Sequence, residues 1–290
     1  MSLELQALRH PSVTLFLAST ERWLSQAEAH HNLILGIAYT LRAEPLPERS
    51  RPLLLSVHKG NAVIGCALAI PPRDLILTQM EPLGVEALIR ALSEELPSLP
   101  GVVGPDPASG EFAAQWSKSM QRPARVRMRQ RFYVLRQASA SFSDTPGRLR
   151  RATSSDLPLV AEWIARFNED AVTGDLEDPK EMAERAIARD QLYLWQASGP
   201  VSMAGWTGAA PNGRRISFVF TPAGERRRGY ASACVAALSR ALLASGRSYC
   251  CLYADLANPT SNAIYRRIGY KRLFDATHYS LAGTPREERT

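Results

Sequence analysis

The chain has 290 residues, 45% of them hydrophobic, which is ample for two packed cores and more than a single ordinary domain needs. Its formal charge of +7 comes mostly from arginine, a balance that suits an acidic or phosphate-bearing ligand without choosing among them. No apolar run nears the roughly 18 residues that a membrane-spanning helix requires, and residues 1–10 lack the basic-then-apolar layout of a signal peptide, so a soluble, cytoplasmic protein is expected.

The first half predicts helices over 12–24 and 27–41, then strands over 53–57 and 62–70 around a Lys59-Gly60-Asn61 turn, and a third strand over 75–79. A helix over 85–96, a short strand at Val102-Val103, a helix over 110–121 and a strand over 126–135 follow. In that last strand Val126, Met128, Phe132 and Val134 alternate with Arg125, Arg127, Arg129 and Arg131, giving an apolar face and a basic face that is read as solvated. The adjacent His30 and His31 diverge by about 100° on a helix and have no partner at ligand spacing, so they are read as structural. Cys66, Cys234, Cys250 and Cys251 fit neither a zinc knuckle nor a disulfide framework and are read as free, mostly buried thiols.

Residues 137–147 are small and polar and end in Pro146-Gly147, as a linker does. The boundaries expected are a first domain over 1–137, a linker over 138–147, a second domain over 148–282 and a flexible tail over 283–290. The second domain reads as helices over 157–167 and 179–189, strands over 191–196 and 201–206 about a Ser198-Gly199 turn, and a strand over 216–220. A helix over 229–245 follows, with Cys234, Val235, Leu238 and Leu242 on one face and Gly246 as its stop. A strand over 249–254, a helix over 258–268 closed by Gly269, and a strand over 270–280 complete the order ααβββαβαβ. The first half repeats that order, so the fold class is α/β with one architecture used twice.

Two stretches carry chemistry. The first, Val219-Phe220-Thr221-Pro222-Ala223-Gly224-Glu225-Arg226-Arg227-Arg228-Gly229-Tyr230-Ala231, joins a strand to a helix. Three arginines at the positive end of a helix are unfavourable unless an anion sits there. Gly229 and Ala231 let the backbone approach phosphate oxygens, and the free N–H groups of the first turn point at them. The second stretch runs from Asn258 to Tyr270. Its Asn258, Pro259 and Gly269 suit an N-cap, a first helical position and a C-terminal cap. Asn262 and Tyr265, three apart, share a helix face where one ligand can meet both.

These stretches resemble the Gcn5-related N-acetyltransferases (GNAT). Arg226, Gly229 and Ala231 fit the family's Arg-x-x-Gly-x-Ala pattern, and Asn258, Ser261, Tyr265, Gly269 and Tyr270 fit its Asn-x-x-Ser-x-x-x-Tyr-x-x-x-Gly-Tyr segment. The resemblance implies two tandem GNAT-like domains, each a mixed, mostly antiparallel sheet flanked by helices, with the first domain degenerate. It implies acetyl-CoA as co-substrate, no metal, and transfer of the acetyl group to a primary amine of a small molecule or peptide. By the same resemblance Arg226, Arg227, Arg228, Gly229, Tyr230 and Ala231 hold the pyrophosphate. The backbone of Phe218, Val219 and Phe220 pairs with pantetheine, with a bulge that frees an N–H for the thioester carbonyl. Asn258, Asn262 and Tyr265 complete the cofactor set, and Tyr265 is the candidate general acid.

Family members often carry a glutamate on the strand that here reads Arg215-Ile216-Ser217-Phe218, so no base is assigned. Glu169, Asp170 and Asp255 are candidates on the acceptor side, although each also suits a solvated or capping carboxylate. His278 on the last strand is read as structural. In the first half Met80-Glu81-Pro82-Leu83-Gly84 has no arginine and no Gly-x-Ala loop, so that domain is expected not to hold acetyl-CoA. An alternative is a non-catalytic acetyl-CoA sensor. Nucleic-acid binding is not expected, because the arginines are scattered and lack an aromatic platform.

Overall fold

A computed structural model describes residues 5–47, 51–93, 98–138, 145–170 and 177–281. The chain divides into two compact units, one of 1–132, 253–258 and 272–290 and one of 133–252 and 259–271. Among the described residues no helix is long and apolar enough to cross a membrane.

The first unit runs β1 (Leu5–Arg9), α1 (Val13–Gln26), α2 (Glu28–Ala43), β2 (Leu53–Lys59), β3 (Ala62–Ala69), β4 (Leu75–Leu77), α3 (Pro82–Ser93), β5 (Gly101–Pro105), α4 (Ala108–Met120) and β6 (Arg125–Leu135). Ser12 caps α1, its hydroxyl accepting from the Leu15 N–H. β1 to β4 pair antiparallel in sequence order and β4 pairs parallel with β5. β2 shows why the sheet is covered on both faces. Leu54 packs with Phe16, Leu17, Leu35 and Ala38 of α1 and α2. Leu53, Leu55 and Val57, on the opposite face, pack with Val85, Leu88, Phe112 and Trp116 of α3 and α4.

The second unit repeats this order. It contains β7 (Arg148–Arg151), α5 (Leu157–Asp170), α6 (Pro179–Ala188), β8 (Leu192–Gln196), β9 (Pro200–Thr207), β10 (Gly213–Phe220), α7 (Tyr230–Ala244), the first part of β11 (Tyr249–Asp255), whose residues 253–255 fall in the first unit, and α8 (Pro259–Ile268). β7 to β10 pair antiparallel in order, and β10 pairs parallel with β11. Val160, Trp163 and Ile164 of α5 pack with Leu192, Leu194, Met203, Phe218 and Phe220. Cys234, Val235, Leu238 and Leu242, the expected inward face of α7, are all buried. Both units are therefore α/β, with mixed and mostly antiparallel sheets.

Four features differ from the sequence reading. β1 and β7 both precede their helix pairs, and neither shows a hydrophobic alternation that would announce it: Arg148-Leu149-Arg150-Arg151 is three-quarters basic. β12 (Lys271–Ser280), expected in the second domain, instead pairs antiparallel with β5 of the first unit, from Ala276↔Pro105 to Ser280↔Gly101. β6 contributes 125–132 to the first unit and Tyr133 to Leu135 to the second. The pattern of a strand fixes its faces but not its neighbours, so which repeat owned the final strand was not readable. The expected apolar face of β6 is likewise only partly covered, since Val126 is exposed while Phe132 and Val134 are buried. Of the expected linker, 139–144 lie outside the described residues, as does the tail over 283–290.

Candidate functional site

β10 is bonded to β11 only from Gly213↔Tyr249 to Arg215↔Cys251. Beyond Cys251 the ladder stops while β10 continues to Phe220, so its far half presents free backbone groups along that edge. On its other side the register with β9 moves from Ser217↔Gly205 to Phe220↔Met203, so three steps on β10 match two on β9. The extra residue is a bulge, with Phe218 at φ 53 in the left-handed region. The Phe218 ring packs edge-on against Phe167 of α5, ring centroids 6.0 Å apart. A bulge thus stands among Phe218, Val219 and Phe220, where one was expected.

The loop after β10 is held by side-chain hydrogen bonds. Ser202 on β9 donates its hydroxyl to the Phe220 carbonyl (3.0 Å) and lies 2.8 Å from the Thr221 hydroxyl. Arg226 Nε donates to the Thr221 carbonyl at 3.0 Å. Arg228 pairs with Glu225 at 3.1 Å. Arg227 sits at φ 66 and, among the described residues, makes no ion pair. Gly229 is the N-cap of α7 at φ 83 and supplies no side-chain acceptor, which leaves the N–H groups of Tyr230, Ala231 and Ser232 without a capping partner. A Cβ at Gly229 would stand 2.8 Å from Thr145 Oγ1, so the segment entering β7 lies against this turn.

On α8 the two singled-out residues differ. Asn262 is buried, and its Oδ1 accepts from the Tyr133 hydroxyl at 3.0 Å. That bond ties α8 to the end of β6 and explains Asn262 structurally. The ring of Tyr265 is buried between Tyr133 and Tyr270, at centroid distances of 6.3 and 6.0 Å, yet its hydroxyl makes no hydrogen bond among the described residues. Burial pushes its pKa up to about 12. Tyr270 differs, its hydroxyl 2.8 Å from Ser239 Oγ on α7. Asn258 directly precedes Pro259, the first residue of α8, and its N–H donates to the Asp255 carbonyl.

Of the acceptor-side candidates, Glu169 is exposed on the last turn of α5, the side chain of Asp170 lies outside the described residues, and Asp255 Oδ1 accepts from the Ala257 N–H as a turn cap. His278 is bonded to Asp74, and His31 Nδ1 lies 2.9 Å from the Leu24 carbonyl while its ring stacks on Trp23. Among the described residues no three His, Cys, Asp or Glu side chains form a group that could hold a metal. A groove of about 480 Å³ in the second unit lies at the other end of α7, beside Ser245, Trp206, Arg150 and Arg214. Its arginines are already engaged: Arg150 with Asp156, and Arg214 with the Ala210 and Gly213 carbonyls. It is unrelated to the loop.

The first unit is different at the equivalent place. Gly104 of β5 packs so closely on β4 that a Cβ there would stand 3.0 Å from Leu77 Cβ and 3.2 Å from its carbonyl oxygen. After β4 the chain buries Met80 and enters α3 at Pro82, with no glycine turn of positive φ.

Sequence reading missed Tyr133, Thr145 and Ser202. Each comes from a strand or linker far from the motifs, and nothing in local spacing announces it.

With this geometry in hand, the likeness to known proteins is clear. The chain has the fold of tandem GNAT proteins. It superposes on a Drosophila protein of known structure with a TM-score of 0.69 at 14% identity, covering 97% of this chain and 99% of that one. A GCN5-related N-acetyltransferase from Sphaerobacter thermophilus gives 0.61 at 14% identity, over 95% and 94%. A tandem GNAT protein from the clavulanic acid biosynthesis pathway gives 0.56 at 10% identity, over 97% and 100%. Residues 194–280 match the family of FR47-like proteins. No curated protein matches the chain.

Proposed function

We propose that the second unit binds acetyl-CoA and passes its acetyl group to an amine. The observation that carries this reading is the bulge at Phe218 beside the strand edge that β11 leaves open. An extended pantetheine can add to that edge as a strand would. A bulge N–H is then available to a thioester carbonyl as it becomes an oxyanion. The first turn of α7 supplies N–H groups without a side-chain cap, Arg227 before it makes no ion pair among the described residues, and Gly229 leaves the approach to the pyrophosphate clear.

In this reading the amine nitrogen attacks the carbonyl carbon, the C–S bond breaks, the nitrogen loses a proton and sulfur gains one. Tyr265, protonated throughout the neutral range, donates to sulfur. Full transfer from a phenol near 12 to a thiol near 8.5 runs uphill by about 5 kcal/mol, so its part is a hydrogen bond that strengthens as charge builds on sulfur. No side chain is assigned as base.

The acceptor is a small-molecule or peptide amine, and the setting is cytoplasmic. The first unit holds no acetyl-CoA in this reading, because Leu77 and Gly104 close the strand edge it would need. Purely sensory binding is favoured by one observation, the lack of a carboxylate anywhere on β10. Calorimetry with acetyl-CoA tests the site: wild type is expected to bind at micromolar affinity, and Arg226→Ala with Gly229→Asp to abolish the heat. Wild type that gives no heat would overturn the reading.

A further inference from the structure

β10 places its two arginines, near its start, on opposite faces. Arg214 turns to the α7 face, where its guanidinium lies 4.8 Å over the Trp206 ring and donates to backbone carbonyls. Arg215 faces the other way, beside Thr207 of β9 and Cys251 of β11. That is the α5 and α6 face. Its next residue pair along the strand is Ser217 with Gly205, and a Cβ on Gly205 would touch the rings and methyls of Phe218 and Leu192, both in the α5–α6 core.

Arg215 Nη1 is buried and, among the described residues, has no hydrogen-bond partner. No described carboxylate bonds to the side chain. A buried guanidinium N–H left unpaired is costly, and a neutral strand residue such as valine would fill the position without that cost. Arg215 is also the last residue of β10 bonded to β11, so the orphan donor stands at the root of the open edge. The loop proposed for the pyrophosphate opens α7, on the opposite face of the sheet. An anion at Arg215 therefore belongs to the other reactant.

We propose that Arg215 binds a carboxylate carried by the amine acceptor, so that the substrates are amines bearing a carboxylate, of the amino-acid class. The proposal rests on the transferase reading above and adds the acceptor's chemistry to it. Arg215 positions the acceptor and takes no part in the proton transfers. A planar carboxylate matches the paired N–H groups of a guanidinium, which an ammonium in its place would not reproduce.

The test offers the full chain, with acetyl-CoA, a pool of free amino acids and a matching pool of amino-acid amides, and reads acetylated products by mass spectrometry. The free acids are expected to react at least about tenfold faster, the size of a hydrogen bond to a charged group. Arg215→Gln is expected to erase that preference while acetyl-CoA binding is kept and the urea midpoint is unchanged or raised, since no bond within the described chain is lost. Equal use of the two pools, or a preference that survives Arg215→Gln, would overturn the assignment. So would a protein that binds acetyl-CoA and acetylates neither pool, an outcome that leaves the transferase reading intact. A protein that fails to bind acetyl-CoA overturns both, and the titration tells these cases apart.

Discussion

Gly229→Ala isolates what the turn before α7 contributes. Gly229 sits at φ 83 and ψ −5, where an L-residue costs about 1–2 kcal/mol. Its new Cβ would also stand 2.8 Å from Thr145 Oγ1, the end of a side chain that can rotate away. Strain at the backbone is therefore the larger effect, and relieving the contact by Thr145→Ala should recover little of it. Urea denaturation of the two single variants and the double variant measures this as a cycle: a loss of about 1–2 kcal/mol in Gly229→Ala that persists in the Thr145→Ala background. Acetyl-CoA affinity should fall about tenfold in both, because the Cβ and the shifted turn displace the N–H groups offered to the pyrophosphate. Gly229→Ala that melts and binds like wild type would refute the reasoning, and full rescue by Thr145→Ala would place the cost in the contact and not in the backbone.

Tyr265→Phe should lower kcat by about 10- to 100-fold with little change in KM for acetyl-CoA, as expected for a hydrogen bond made to a developing thiolate. Steady-state thiol release reads it, and an unchanged kcat would remove Tyr265 from the chemistry. Asp156 is held down to about 2 by its paired bonds from Arg150, with further help from the Thr153 N–H and hydroxyl. Its folded value lies below its ordinary 3.8, so its contribution is fully present above pH 4 and is lost as pH falls toward 2. The urea midpoint should drop across that window, and Arg150→Gln should flatten the drop. All four cysteines are buried and free, and burial pushes the Cys66, Cys234 and Cys250 thiols up. Ellman's reagent should find no fast thiol in the native chain and all four after denaturation.

The helices were legible because their apolar faces repeat at helical spacing, as in Cys234, Val235, Leu238 and Leu242, and because Pro259 and Gly269 mark the ends of α8. The loop from Thr221 to Ala231 was legible because arginine at a helix start conflicts with the helix dipole. Neighbour relations were not. β12 carries the same pattern whichever unit it joins, and only its pairing with β5 settles the matter. The division of labour within the motifs was equally hidden: Asn262 and Tyr265 share a helix face, but Tyr133 engages the first and leaves the second with an unbonded hydroxyl. The missing glutamate over residues 215–218 was legible as a departure from a family habit, while the buried Nη1 of Arg215, unbonded among the described residues, required three dimensions.

The most direct test of the account is the stoichiometry of acetyl-CoA binding. The open edge of β10 in the second unit, against the contact of Gly104 with Leu77 in the first, predicts one acetyl-CoA per chain, lost in Arg226→Ala with Gly229→Asp. Two sites per chain, or a single site that survives in that variant, would contradict it.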